Sequence, residues 1–71
     1  MELKLGIYKH FKGQTYKTIG VGQHSETLEK MVIYVKTNNE NSIWIRPLDM
    51  FLETIIRDGK PIKRFELIQE F

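Results

Sequence analysis

The sequence contains no cysteine. That excludes disulfide staples and thiolate metal sites, and it leaves stability to the apolar core, as suits a reducing compartment. It has two prolines and no proline- or serine-rich stretch, low-complexity segment or internal repeat that would divide it. No stretch approaches the roughly 20 apolar residues of a membrane span, and the start MELKLGIYKH lacks the long apolar run of a signal peptide. The expectation is a cytoplasmic protein with no membrane contact. Length is also scarce. With 71 residues, the expected organisation is one domain over 1–71, because a chain near 60 residues buries only about 60% of its unfolded surface. Cofactor and substrate pockets enclose about 300–1,000 Å³, which so small a core can hardly spare. The size favours a non-catalytic binding module that carries no cofactor.

Against these absences, apolar residues make up 41% and charged residues 28%, a composition that folds. The net charge is +2, unevenly spread. The first third carries Lys4, Lys9, Lys12 and Lys17 against Glu2 alone, together with His10 and His24. Lysines of this kind keep an edge strand soluble and unpaired. The other reading is contact with a polyanion.

Residues 6–11 and 15–22 alternate bulky and polar side chains about a tight turn at Lys12-Gly13-Gln14, which predicts two strands. Gly20 and Gly22 predict a bulge or sharp bend in the second strand. A dinucleotide fingerprint is excluded, because no helix opens after these glycines and no third glycine follows. EKMVIYVKT is the clearest strand, TNNENS reads as a loop, and SIWIR as the hairpin partner. Met31, Ile33, Val35, Ile43 and Ile45 are expected to face the core. Antiparallel parity then puts Val32, Tyr34, Trp44 and Arg46 together on the opposite face. Pro47 suits a first helical turn, and Leu48, Phe51, Leu52 and Ile55 fall at helical spacing. The β-branched run Thr54-Ile55-Ile56 limits that helix to one or two turns before a hairpin across Asp58-Gly59, whose return strand spans about 60–68. Leu48, Met50, Phe51 and Leu52 are expected to be core or its lid, and Phe65 and Leu67 core. The pattern predicts a mainly β fold, a small, strongly bent five-stranded SH3-like barrel with one short helical turn.

The spaced words YKHFKG, VGQHSETLEKMVIY, WIRPLDMF and RFE resemble a bacterial family known as domain of unknown function 1653, over residues 6 to 66. TNNENS departs from the glycine- and aspartate-rich loop of that family. The resemblance implies a compact β domain, used alone or as a module beside others, with no established activity and no catalytic residues to carry over.

His24-Ser25-Glu26 invites a nucleophilic reading, which requires a base bonded to the serine hydroxyl and an acid behind the base. Neighbours in an extended segment point to opposite faces, and no glycine elbow surrounds Ser25. A turn in which Ser25, Glu26 and Thr27 bond nearby backbone amides fits better. A metal site would need His10 and His24 plus Glu26 or Glu53, and no zinc spacing supports it.

The aromatic and basic set is different in kind. Tyr8 and His10 alternate on one face of the first strand, while Tyr34, Trp44 and Arg46 share one face of the central hairpin. Strong bending would instead turn Tyr34 or Trp44 into the core, because tryptophan is usually buried over most of its area. Arg46 would either take a carboxylate or phosphate ligand or pair with Glu53 or Glu26. The candidate ligand-binding residues are Tyr8, His10, Lys12, His24, Tyr34, Trp44 and Arg46. The expected partner is a protein or peptide segment, recognised by tyrosine, tryptophan and arginine anchors. The alternatives are single-stranded nucleic acid or a nucleotide stacked on the rings and, after these, a small hydrolase-like enzyme.

Overall fold

The connections that end the strands differ in length, from two-residue turns at 37–38 and 58–59 to the longer segment 24–29. The chain, seen in a computed structural model that describes residues 3–71, runs β1 (Gly6–His10), β2 (Thr15–Gln23), β3 (Lys30–Lys36), β4 (Asn39–Pro47), α1 (Leu48–Phe51), β5 (Thr54–Arg57), β6 (Lys60–Lys63) and β7 (Phe65–Glu70). Glu2, the one acidic residue of the basic first third, lies outside the described residues. Five strands form an antiparallel sheet in the order β4-β3-β2-β1-β7, and β5 pairs with β6 alone. Asp58 and Gly59 both have positive φ, 52° and 76°, the geometry that suits a two-residue hairpin to the twist of its strands.

The fold is mainly β with one helical turn, as the alternation predicts, but the sheet does not close. β4 and β7 are free edges, where a five-stranded barrel was expected. The predicted return strand over 60–68 is broken at Arg64. Before it, Lys60 pairs with Arg57; after it, Phe65 pairs with His10. The hairpin between β3 and β4 also turns sooner than TNNENS suggests. Thr37 and Asn38 make the turn, and Asn39–Ser42 already belong to β4. A register shift absorbs the extra residues, with Lys36 opposite Asn39 and Val35 opposite Ile43. The glycine-marked bend in β2 is a register shift between Thr18 and Gly20. Pro47 ends β4 and caps α1 rather than entering its first turn.

The core lies on the face opposite to the one expected. Tyr8, Thr18, Val32, Tyr34 and Phe65 are buried, and α1 adds Leu48 and Phe51 to them. The Phe51 ring stacks on Phe65 at 4.1 Å and meets the edges of Tyr8 and Tyr34 at 5.1 and 5.4 Å. Buried Thr18 is satisfied, accepting from the Gly6 amide and donating to the Gly6 carbonyl, so its hydroxyl carries no desolvation penalty. β7 passes so close to β1 that a Cβ on Gly6 would collide with the Gln69 carbonyl oxygen. Of the residues expected in the core, Val35 is buried, Met31 and Ile33 are half-buried, and Ile43 and Ile45 are 63% and 62% exposed. Met50 is exposed too. The parity argument itself holds, since Val32 lies opposite Arg46 and Tyr34 opposite Trp44. What it lacked was a reason to choose between two apolar faces, and the docking of Phe51 and Phe65 supplies that reason. Among the described residues no helix is long and apolar enough to cross a membrane.

Candidate functional site

The strand pairings put Tyr8, His10, Tyr34, Trp44 and Arg46 on one face of the sheet, the inner face that α1 partly covers. Their exposure differs sharply. Tyr8 and Tyr34 are 5% and 3% exposed, so their rings are packed in the core and offer no stacking surface to a ligand. The Tyr8 hydroxyl donates to the Lys4 carbonyl at 2.6 Å, and burial, followed by the Glu70 carboxylate, pushes its pKa up. Trp44, on the edge strand β4, is 45% exposed. Its indole N–H donates to Ser42, and the Lys36 ammonium lies 5.7 Å from its ring.

Arg46 sits between these two environments. Its Nε donates to the Tyr34 hydroxyl at 3.4 Å, and its guanidinium lies 5.8 Å from the Phe65 ring. Neither Glu53 nor Glu26 reaches it. Glu53 pairs instead with Arg64 at 3.4 Å, and among the described residues Arg46 has no carboxylate at ion-pair distance. The planar cation is therefore oriented by aromatic neighbours and keeps donors free.

His10 meets Phe65 edge to face, with ring centroids 4.9 Å apart, and also meets the edge of Tyr16. Its Nδ1 accepts the Lys12 amide and closes the Lys12-Gly13 turn. Burial, then Arg64, Arg46 and Lys12, lower its pKa. Lys12 is exposed and rests over Phe11, which the Arg57 guanidinium also approaches. Tyr16, Lys36 and Arg64 thus join the basic and aromatic set although the sequence did not single them out. Arg64 had no readable signal, because only the bend between β6 and β7 carries it there; its Nε is buried without a hydrogen-bond partner.

His24 is elsewhere. It borders a groove of about 210 Å³ on the outer face with Gly22, Gln23, Met31, Ile33 and Ile45. HSETLE is a turn, and its cap is the histidine: His24 Nδ1 accepts the Glu26 and Thr27 amides, and Thr27 Oγ1 accepts the Glu29 amide. Ser25 and Glu26 side chains make none of the expected amide bonds. In a catalytic triad the histidine Nδ1–H faces the orienting acid while Nε2 takes the serine proton; here Nδ1 instead accepts two backbone amides. Leu28 closes the turn at a φ of 63°, a left-handed conformation that a leucine adopts at a cost. Among the described residues no three histidine, cysteine, aspartate or glutamate side chains gather to hold a metal ion.

Comparison with curated proteins finds no match. Among solved structures the chain is similar to the crystal structure of a DUF1653 protein from Bordetella bronchiseptica, with 26% identity, a TM-score of 0.85, and coverage of 99% of this chain and 92% of that one. Residues 6–67 match the model of the family described as "Protein of unknown function (DUF1653)", and the chain belongs to that family.

Proposed function

We propose that this domain is a non-catalytic binding module that recognises a protein or peptide partner through the open margin of its inner face. Trp44 and Arg46 are the anchors, with His10, Lys12, Tyr16 and Lys36 around them. The observation that carries this reading is Arg46. An arginine held by a tyrosine hydroxyl and an aromatic ring, beside a half-exposed tryptophan and with no carboxylate partner among the described residues, has the composition of an interface anchor. Tyr8 and Tyr34 act from beneath by fixing the sheet and the guanidinium. The clustered cations beside aromatic rings also favour a second reading, single-stranded nucleic acid.

Titration of the isotopically labelled chain with short peptides, nucleotides and oligonucleotides separates the two. The peptide reading expects shifts at the Trp44 indole and the Arg46 side chain with peptide, weakly dependent on salt. Binding of oligonucleotides alone, with affinity falling steeply as salt rises, replaces it with the nucleic-acid reading. Absence of any shift at Trp44 and Arg46 with every ligand sinks both.

A further inference from the structure

The two free edges of the sheet are built differently. β7 carries Glu66 and Glu70 and a register shift against β1, devices that discourage pairing with another chain. β4 has a register shift near its start and Pro47 at its end, but the stretch between them, Ser42-Ile43-Trp44-Ile45-Arg46, has no lysine, no carboxylate and no proline. Three large apolar side chains are exposed along it, Ile43 and Ile45 on the outer face and Trp44 on the inner. An edge left this open, and limited to a few residues by a bulge and a proline, suits a short incoming strand.

We infer that the partner binds as an added antiparallel or parallel strand along Ile43–Arg46, its side chains alternating between apolar residues on the outer face and an acidic residue beside Arg46 on the inner. This rests on the binding-module reading above and specifies its mode. Main-chain hydrogen bonds to the β4 edge supply affinity, and alternate side chains supply specificity. On the outer side the apolar residues extend the surface of Ile43 and Ile45, next to the groove lined by Met31, Ile33 and Gly22. A Cβ added at Gly22 would meet only the Ile33 Cδ1 atom, so the groove floor there is low. On the inner side, Arg46 and Lys36 are the charges next to Trp44, and the charge complementary to them is a carboxylate. The occupant is therefore an extended segment of another protein in which valine or isoleucine alternates with aspartate or glutamate. A second copy of β4 would bring Arg46 without such an acidic run.

The test titrates the full chain with a short soluble peptide alternating valine and glutamate, and with the same peptide N-methylated at the backbone positions of one edge. The expected result is amide shifts confined to β4 and the adjoining part of β3. Affinity should fall about tenfold or more on N-methylation of the pairing edge, on replacing glutamate by lysine, and with Arg46→Gln. N-methylation leaves the protein untouched, so a fold defect cannot imitate its effect. Shifts at Trp44 and Arg46 side chains that ignore N-methylation overturn strand addition and leave the binding-module reading standing. Absence of any shift with peptides and oligonucleotides removes both, and a concentration-dependent dimer that protects the β4 amides assigns the edge to a second copy and overturns the proposal.

Discussion

The sheet has two apolar faces, and only one of them is a core. The inner face is aromatic: Tyr8, Tyr34, Phe51 and Phe65 meet ring against ring, and α1 closes over them. The outer face is aliphatic, with Met31, Ile33, Ile43 and Ile45, and the described residues leave Ile43 and Ile45 largely exposed. Rings bury more area per residue than branched aliphatics and add edge and stacking contacts. In a chain that can cover one face only, the face with the larger rings is the one covered. The aliphatic face stays exposed at Ile43 and Ile45.

The sharpest test of this contrast is truncation on each side. Phe51→Ala removes the ring that meets three others, and a stability loss of about 3–5 kcal/mol is expected by denaturant titration; a loss below about 1 kcal/mol would mean that α1 is not the lid. A second, smaller effect concerns the margin of the inner face. His10 has a pKa below its ordinary 6.5, so the unfolded chain takes up this proton before the folded one does. Its contribution is fully present above about pH 6.5 and is lost as pH falls through the window beneath that value. Urea midpoints measured against pH for the native chain and for His10→Asn should differ in slope within that window and run parallel above it. The smallest effect belongs to the outer face: Ile45→Ser should change stability by less than about 0.5 kcal/mol. A loss as large as that of Phe51→Ala would show that the isoleucines form a second core.

Much of the fold was legible. The turns at Lys12-Gly13-Gln14 and Asp58-Gly59, the single turn of helix after Pro47, and the sharing of one face by Val32, Tyr34, Trp44 and Arg46 follow from local conformational preference and the period of a strand. These features depend on neighbours in sequence. That Trp44 and Arg46 of the candidate site share a face was legible for the same reason, since they are two residues apart. His24 was not, because the bulge at Gly20 and the turn after Gln23 place it against the outer groove. The mistaken loop at TNNENS has a similar origin: asparagine and serine permit a turn anywhere within it, and only the pairing of Lys36 with Asn39 fixes where the chain reverses.

The sequence by itself determined a small, mainly β chain with an aromatic and basic set on one strand face, because alternation and turn residues act over a few positions. Tertiary structure alone decided which face became the core, that the sheet stays open at β4, and that Arg64 joins Arg46 and His10. Each of these depends on where distant segments dock, and docking is governed by the fit of Phe51 and Phe65 against the sheet rather than by any local preference.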